Sequence, residues 1–363
     1  MKIALAHDSF TQAGGAERVV EALHELYPTA PVYTTVVDAH YPKDLSGWRI
    51  VVSPLQYVYT LYAHFQYLFP LVPAALWFVR IPKEYDVLLS SSSSFAKAIH
   101  KPRGSVHVLY CHTPTRFIWT DVAHAVKETP WPFKLVVRPF LYVLRWWDLA
   151  AARRVDVFIA NSQEVQRRIQ QFYGRESTVV YPFVDTEFWR PTKPKADYFL
   201  LAGRLQAHKQ NEMVVELFNR LGLPLHVVGT GRQEAYLRSI AKPNIHCLGR
   251  VSDEALRDEY SGARGYIYPQ KEDAGITPLE AAACGTATIG LNVGGTAETV
   301  VPHKTGEWFS EGSEQELQAL VEQWDESRYT VTALREQAEA FGKPRFLHAI
   351  QQIVEKATKQ ARE

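Results

Sequence analysis

Cysteine, excess charge of either sign and an apolar leader are scarce or missing in this 363-residue sequence. The three cysteines, Cys111, Cys247 and Cys284, lie far apart and match no disulfide or metal-ligand spacing, which indicates a reducing compartment. With 40 Lys and Arg against 39 Asp and Glu, the formal charge of +1 gives no support to a nucleic-acid partner. A charge at Asp8 comes too early for a signal peptide. The sequence therefore predicts a cytoplasmic protein that does not bind nucleic acid.

Charged residues are also missing from one internal stretch, 50–79, which contains no Asp, Glu, Lys or Arg. Aromatic residues are concentrated at 57–78, and prolines interrupt the stretch before it reaches the ~20 apolar residues of a membrane-spanning helix. Aromatic side chains with a polar tip favour the membrane interface, whereas an ordinary core helix explains the stretch equally well. The first interpretation predicts peripheral contact with the inner membrane face.

A second aromatic stretch, 131–154, differs from the first because it also carries basic residues. Lys134, Arg138 and Arg145 lie among its tryptophans and phenylalanines, and two more arginines close it. A basic-aromatic surface of this kind can bind anionic lipid head groups. A solvated helix face is the alternative interpretation.

Strand patterns alternate with helix patterns along the whole chain. Apolar residues make up 46% and charged residues 22% of the sequence, as in a globular protein. Strand, loop and helix in this order are typical of parallel α/β domains, whose ligands bind at the carboxyl ends of the strands. The length suits two domains, and a polar connector rich in proline indicates a boundary near residue 192. We therefore expect domains at 1–192 and 193–340, followed by a helix from about 341.

Candidate site residues follow three of the predicted strands. Gly14 and Gly15 precede a helix, where the backbone has room to approach a diphosphate, although such a pair is also a common plain turn. His112 follows the strand at 106–111; a lone histidine is more often structural, but a strand end is where ligands bind. Arg204 and Lys209 are two cations just past another strand, a suitable place to hold a diphosphate.

The stretch 268–285 contains two carboxylates, Glu272 and Glu280, separated by seven residues. A glycine-centred loop opens, after Pro278, into an apolar helix that closes at Gly285. The start of such a helix offers backbone N–H groups and the positive end of the helix dipole, which suit a phosphate. Ionised carboxylates accept hydrogen bonds from sugar hydroxyls. A surface turn with two solvated acids is the alternative.

The order of these motifs along the chain is more informative than any one of them alone. They are Gly14-Gly15-Ala16-Glu17-Arg18, Cys111-His112-Thr113-Pro114, Gly203-Arg204-Leu205 with Lys209, Glu272-x7-Glu280, and Gly294-Gly295. In this order and spacing the chain resembles the retaining glycosyltransferases of family four, and the resemblance covers nearly the whole chain. It looks most like the mannosyltransferases of bacterial O-antigen and exopolysaccharide assembly, which implies GDP-mannose as the donor.

The resemblance implies the GT-B fold, an α/β architecture of two Rossmann-like domains whose parallel sheets face each other across a cleft. In that fold 1–192 would bind the acceptor and 193–340 the nucleotide sugar, with the C-terminal helix, about 341–363, packed back on the first domain. The acceptor would be lipid-linked or a glycan.

The same resemblance implies roles at the donor phosphates. Arg204 and Lys209 would clamp the diphosphate and stabilise the charge of the leaving nucleotide, a preorganised electrostatic role. Gly14 and Gly15 would let the backbone of the first domain approach the same phosphates.

The carboxylate motif would bind the rest of the donor. Glu280 would hold the ribose hydroxyls, and Glu272 would hold hydroxyls of the transferred sugar near its reacting carbon. Backbone N–H groups of three consecutive residues would meet phosphate and sugar: Gly275, Ile276 and Thr277.

The base and the reaction centre complete the implied site. Arg250 and Val251 would flank the base, and His112 would contact the sugar beside the reacting carbon. The family retains anomeric configuration without an agreed enzymic nucleophile, so we do not assign Glu272 and Glu280 as acid and nucleophile. The expected catalytic set is His112, Glu272, Arg204 and Lys209.

The sequence departs from the family pattern at two places. Ala274 stands where an aromatic residue usually follows the first glutamate, which bears on the identity of the donor sugar. Gln206-Ala207-His208 stand between Arg204 and Lys209, where the family commonly has a proline. No Asp-x-Asp metal motif occurs in a suitable place, so we expect neither a metal ion nor another cofactor.

The expected function is therefore transfer of a hexose, mannose from GDP-mannose, in cell-envelope polysaccharide synthesis. Three alternatives stay open: a transferase for a UDP-sugar (glucose, galactose or GlcNAc), a GT-B epimerase or hydrolase of nucleotide sugars, and a non-enzymatic nucleotide-sugar-binding scaffold.

Overall fold

The computed structural model describes residues 1–62, 68–128 and 134–363. Two compact units divide the chain: Met1–Tyr181 with Phe346–Glu363, and Pro182–Arg345. The division precedes the predicted boundary at residue 192 because the connector packs into the second unit. Trp189 is buried there and contacts Tyr260, with ring centroids 5.7 Å apart.

Seven parallel strands form the sheet of the first unit. They are β1 (Ile3–His7), β2 (Val32–Thr34), β3 (Ile50–Val52), β4 (Val87–Ser92), β5 (Val106–Cys111), β6 (Val157–Ala160) and β7 (Thr178–Val179). Their order in the sheet is β3-β2-β1-β4-β5-β6-β7. Sequence patterns did not predict β2 and β3, since each strand has only three residues.

The central strands are buried along their whole length, as expected for a sheet covered on both faces. β4 ends with Ser90, Ser91 and Ser92, the first three of five consecutive serines. Their hydroxyls are satisfied inside the protein: Ser90 by His107, Ser91 by His112 and Ser92 by Asp8. Hydrogen bonding removes most of the cost of burying a hydroxyl.

Helices connect these strands. The α-helices of the first unit are Gly15–Leu26, Leu55–Tyr62, Val72–Trp77, Arg116–Trp119, Val122–Glu128, Lys134–Arg153 and Gln163–Tyr173. The helix Lys343–Gln360 starts in the second unit and lies in the first from Phe346 onward, where that ring contacts Tyr110. The predicted stretches 57–78 and 131–154 fall partly outside the described residues, at 63–67 and 131–133.

Six parallel strands form the sheet of the second unit. They are β8 (Phe199–Ala202), β9 (Leu225–Val228), β10 (Ile245–Gly249), β11 (Gly265–Tyr268), β12 (Thr288–Leu291) and β13 (Gly306–Phe309). Their order is β10-β9-β8-β11-β12-β13. The predicted α/β class with two Rossmann-like, parallel-sheet domains is confirmed.

The α-helices of the second unit are Asn211–Leu221, Glu234–Ile240, Asp253–Gly262, Ile276–Ala283, Gly295–Thr299, Glu314–Glu322 and Val331–Glu339. The helix of the carboxylate motif begins at Ile276 rather than after Pro278, and it ends at Ala283 rather than at Gly285. Proline fits this first turn because the N–H groups there have no acceptor within the helix.

In each sheet the strand order reverses at one place, between β1 and β4 in the first unit and between β8 and β11 in the second. The connections on either side of such a switch point leave in opposite directions and open a crevice at the carboxyl ends of the strands. The two switch points therefore define where each unit presents a ligand site.

Candidate active site

At the switch point of the second unit, the loop after β8 carries the two predicted cations. Arg204 is exposed at the start of this loop. Lys209 closes the 3₁₀ turn Ala207–Lys209, and its side chain is almost fully buried. The loop is anchored to the neighbouring strand by hydrogen bonds from Gly203 N to Val228 O (3.0 Å) and from Leu205 N to Thr230 O (2.9 Å). The protein thus holds one cation in place and leaves the other in solvent.

The loop after β11 carries the carboxylate motif on the other side of the switch point. Gly275 precedes the helix in the left-handed conformation (φ 61°) and gives it no side-chain cap. The first-turn N–H groups, including those of Ile276 and Thr277, lack acceptors within the helix. Together with the helix dipole they favour a negatively charged ligand.

The two loops meet through Lys209 and Glu272, whose ammonium and carboxylate form an ion pair. They are adjacent because β8 and β11 are neighbours, paired at Leu201 and Ile267. Glu272 is partly exposed, whereas Lys209 is nearly buried. The structure therefore brings together two residues that we had predicted for different parts of the donor.

Glu280, the second acid of the motif, lies inside the helix Ile276–Ala283 and is only 4% exposed. Burial, and then the nearby Glu280 carboxylate, raise the pKa of Cys284 to about 12. Cys284 is therefore a neutral thiol at physiological pH and has no nucleophilic role. A surface turn with two solvated acids, our alternative for this motif, does not describe Glu280.

Gly294 and Gly295, for which we had predicted no role, hold the carboxylate loop in place. Gly295 N donates to Glu272 O at 2.9 Å. A Cβ on Gly295 would lie 2.2 Å from the carbonyl carbon of Ala274, and one on Gly275 would lie 2.8 Å from the carbonyl carbon of Gly295. Only glycine permits this approach of two backbones. Gly294-Gly295 thus serves the site by packing.

Arg250 and Val251, predicted to flank a base, follow β10, which lies two strands away from β8 in the sheet. Arg250 is exposed and Val251 is half-buried. A hydrogen bond from Gly229 N to Gly249 O (2.8 Å) ties the ends of β9 and β10. The structure places this pair at the same edge of the sheet as the switch point but not at it.

At the switch point of the first unit, Asp8 follows β1 and its carboxylate is the centre of a dense hydrogen-bond cluster. Backbone N–H groups donate to it from Ser93 (2.6 Å), Ser94 (2.9 Å), Phe95 (2.9 Å) and Ala96 (2.6 Å). Two serine hydroxyls of the same segment, those of Ser92 and Ser93, add to these. Sequence reasoning missed Asp8, although an aspartate at the end of a buried strand is itself a signal.

The ionisation of Asp8 follows from these contacts. Burial alone would raise its pKa, but His7, the N–H groups of Ala96 and Ser93, and then Lys97 outweigh burial and lower the pKa below the ordinary value. Asp8 is therefore a carboxylate in the folded protein. The loop after β4 wraps around this anion.

His112, predicted to contact the sugar, lies at the end of β5 and is half-buried. Its Nε2 is 2.8 Å from Ser91 Oγ. His7 Nδ1 lies 3.2 Å from the carbonyl oxygen of the same serine. Ser91 thus links the imidazole of His112 to the end of β1.

Gly14 precedes the helix Gly15–Leu26 as predicted, whereas Gly15 is the first residue of that helix. A Cβ on Gly14 would lie 3.0 Å from Glu17 Oε2. Glu17 is buried and its Oε1 is 3.7 Å from His7 Nε2. Because the contacted atom is the end of a flexible side chain, this contact does not by itself require glycine at position 14.

A buried ion pair between Lys97 and Asp148 stabilises this switch point. Lys97 Nζ is 2.6 Å from Asp148 Oδ1, and Thr115 bridges the two with hydrogen bonds of 2.9 and 3.0 Å. Trp119 and Tyr173 also donate to Asp148. The buried ammonium and carboxylate therefore compensate each other's charge and are hydrogen-bonded, as burial of charged groups requires.

Two families match the sequence, one over each half. Residues 13–188 match "Glycosyltransferase Family 4", and residues 184–343 match "Glycosyl transferases group 1". The chain is built from the two domains of the GT-B glycosyltransferases. Within the described parts of the chain, no group of three His, Cys, Asp or Glu is arranged to hold a metal ion, and no helix is long and apolar enough to cross a membrane.

Curated relatives of the glycosyltransferase are distant. It is 28% identical over 173 residues to the glycogen synthase of Mycobacterium tuberculosis, covering 42% of each chain. It is 27% identical over 180 residues to the GDP-mannose-dependent monoacylated alpha-(1-6)-phosphatidylinositol monomannoside mannosyltransferase of Corynebacterium glutamicum, covering 41% of this chain and 47% of that protein. The chain spans about half the length of the curated relatives it matches.

Solved structures resemble the glycosyltransferase along nearly its whole length. Anabaena Alr3699/HepE, solved with UDP, has a TM-score of 0.73 at 17% identity and covers 98% of this chain and 100% of its own. The sucrose-phosphate synthase of Thermosynechococcus elongatus has a TM-score of 0.77 at 16% identity, covering 98% and 99%. At these identities the likeness shows the GT-B fold.

Proposed function

We propose that this glycosyltransferase moves a hexose from a nucleotide sugar to a lipid-linked or glycan acceptor with retention of anomeric configuration. The observation that carries the proposal is the set of groups at the switch point between β8 and β11. Arg204 and Lys209 stand on one loop, and Glu272 and the uncapped helix start at Ile276 stand on the other. Cations with free helix N–H groups suit a diphosphate, and a carboxylate suits sugar hydroxyls.

The proposed roles follow from the surroundings of each group. Lys209 binds the diphosphate and stabilises the negative charge of the leaving nucleoside diphosphate, and Arg204 swings in from solvent to share that charge. Glu272 accepts hydrogen bonds from hydroxyls of the transferred sugar. Glu280 holds the ribose, and His112 contacts the transferred sugar. The reaction needs no metal ion because these cations supply the required charge.

For the donor we propose GDP-mannose first. The resemblance to the mannosyltransferases of polysaccharide assembly supports it, as does the likeness to the GDP-mannose-dependent enzyme of Corynebacterium glutamicum. UDP-sugars are an equally supported second candidate, since Anabaena Alr3699/HepE was solved with UDP-glucose. Ala274 lies two residues after Glu272 in the same loop, so its small side chain bears on which sugar fits.

A donor panel tests the proposal. GDP-mannose, UDP-glucose, UDP-GlcNAc and UDP-galactose are compared by thermal shift and by release of the nucleoside diphosphate. We expect one donor to stabilise the protein and to be consumed, and we expect GDP-mannose to be that donor. The same donor should leave a Lys209→Ala variant unshifted and should still shift Lys304→Ala, which removes an exposed lysine of the same unit. Stabilisation by no nucleotide sugar would refute the proposed function.

We further propose that the first unit contacts the cytoplasmic face of a membrane through 57–78 and 131–154. Exposed apolar side chains in the described parts of both stretches support this: Tyr57, Leu61, Leu71, Trp77, Phe78, Leu135, Tyr142, Val143 and Trp146. In the helix Lys134–Arg153 the single acid, Asp148, is fully buried, while Arg138 is exposed. Exposed aromatics beside cations suit an anionic lipid surface.

Vesicle sedimentation tests this contact. Vesicles of phosphatidylcholine with phosphatidylglycerol should pellet the protein, and pure phosphatidylcholine should pellet much less. Trp146→Ser should weaken the pelleting, whereas Leu248→Ser, which removes an exposed apolar side chain of the second unit, should not. Binding that ignores lipid charge would contradict the role of the basic stretch.

A further inference from the structure

The ion pair between Lys209 and Glu272 joins two groups that have separate tasks in the proposed function. Lys209 would bind the donor diphosphate, and Glu272 would bind hydroxyls of the sugar. In the structure the ammonium and the carboxylate bind each other instead. Lys209 is only 4% exposed, so its charge depends on a partner inside the protein.

A diphosphate that approaches Lys209 therefore meets a competitor. The ammonium has a limited set of donors and little access to water, and a second anion beside it would repel the Glu272 carboxylate. Binding of the diphosphate is favoured when the same ligand also supplies hydrogen-bond donors to Glu272. The hydroxyls of a sugar attached to that diphosphate are such donors.

We propose that Glu272 is a specificity-determining residue that makes the site prefer a nucleotide sugar over the free nucleoside diphosphate, an inference that rests on the proposed function. With a nucleotide sugar, sugar hydroxyls donate to Glu272 and Lys209 turns to the diphosphate. With the nucleoside diphosphate alone, Glu272 keeps Lys209 and weakens binding. After transfer removes the sugar, Glu272 pairs with Lys209 again and helps to expel the product.

The proposal leads to an unusual expectation for Glu272→Gln. The amide keeps the size of the side chain but removes the charge that holds Lys209. Apparent affinity falls in proportion to the fraction of protein in which the binding group is available. If Lys209 is detached from Glu272 in about a tenth to a third of wild-type molecules, the variant should bind GDP or UDP about threefold to tenfold more tightly than the wild type. Transfer of the sugar should fall.

The experiment measures Kd for GDP and for UDP by calorimetry on the full chain. The variants are Glu272→Gln, Glu272→Asp and the double variant Glu272→Gln with Lys209→Gln. Glu272→Asp keeps the charge on a shorter side chain and should give a smaller gain in affinity. The double variant should lose the gain. Glu314→Gln, which breaks the exposed ion pair with Arg220 in the same unit, should leave both Kd values unchanged.

Three outcomes separate the possibilities. Tighter binding that is confined to the Glu272 variants and depends on Lys209 supports the proposal. Unchanged or weaker binding in both single Glu272 variants, with circular dichroism like that of the wild type, overturns it and leaves the proposed function intact. A wild-type protein that binds neither nucleoside diphosphates nor nucleotide sugars overturns the proposed function and this inference with it.

Discussion

The two switch points of this protein use backbone N–H groups in opposite ways. In the first unit, four consecutive N–H groups at 93–96 donate to Asp8, so the protein supplies the anion itself. In the second unit, the helix that begins at Ile276 has no side-chain cap, and Arg204 and Lys209 stand on the adjoining loop. Backbone N–H groups favour an anion at both switch points. In the first unit that anion is the side chain of Asp8, and in the second unit the site suits an anionic ligand.

This difference explains why glycine-rich loops do not by themselves identify phosphate-binding sites in this sequence. Gly14 lies beside the flexible side chain of Glu17 in its own helix. Gly295 lies against the backbone of Ala274 and keeps the carboxylate loop in place. In neither case does the glycine itself show a phosphate site. Whether such a loop can bind a phosphate depends on whether the nearby backbone N–H groups already donate to a group of the protein.

The largest effect that tests the comparison is expected from Lys209→Ala. Loss of one preorganised donor to developing charge costs about 10²–10³-fold in rate. We expect a fall of about that size in kcat/KM for the donor found in the panel, with Lys304→Ala as the control. A near-normal kcat/KM would mean that the second switch point does not hold the diphosphate.

Asp8→Asn tests the first switch point through stability. The amide replaces one acceptor oxygen with a donor that faces N–H groups, and hydrogen bonds to a charged group are each worth about 1.5–3 kcal/mol. We expect a loss of about 2–3 kcal/mol in the free energy of unfolding at pH 7, measured by urea denaturation. Asp121→Asn, an exposed carboxylate of the same unit, should change it by less than about 0.5 kcal/mol.

The pH dependence of this variant provides a second check. The pKa of Asp8 is lowered in the folded protein, so its stabilisation is fully present above the ordinary aspartate pKa of about 3.9. The stabilisation is lost as the pH falls through the lower, folded pKa. The difference between wild type and Asp8→Asn should therefore shrink below about pH 4. A constant difference would show that the charge of Asp8 contributes nothing.

Gly295→Ala sharpens the comparison by moving the carboxylate loop without removing any charge. The new methyl group would meet backbone atoms of Ala274 and Gly275 at 2.2–2.5 Å, and overpacking of this kind costs about 1–3 kcal/mol. We expect a lower melting temperature and weaker donor binding by calorimetry. Gly47→Ala, which has no atom within 4 Å of the added Cβ, should change neither. Normal donor binding would show that the loop position is not needed.

The smallest expected effect is that of Ser91→Ala. It removes the hydrogen bond to Nε2 of His112, worth about 1 kcal/mol, and leaves the backbone contacts of Asp8 intact. We expect about a fivefold fall in kcat with KM for the donor unchanged. Ser105→Ala, which loses a bond to Pro102 O at the other end of β5, is the control. Equal effects of both changes would assign Ser91 a structural role alone.

Much of the fold was accessible from sequence because buried parallel strands are continuous apolar runs. The strand Val106–Cys111 was predicted at its observed bounds. The three-residue strands Val32–Thr34 and Ile50–Val52 were not, since so short a segment carries no period of its own. The boundary at 192 was displaced because a proline-rich connector gives no sign of where Trp189 packs.

The sequence by itself determined the alternation of strands and helices, the order of the motifs and the residue types at the strand ends. These are properties of neighbouring residues, and local backbone and burial preferences are enough to predict them. Only the tertiary structure decided that Lys209 pairs with Glu272, that the segment after β4 donates hydrogen bonds to Asp8, and that Gly295 packs against the carboxylate loop. Each of these contacts joins loops far apart in the chain, because parallel strands bring distant carboxyl ends to one edge of a sheet.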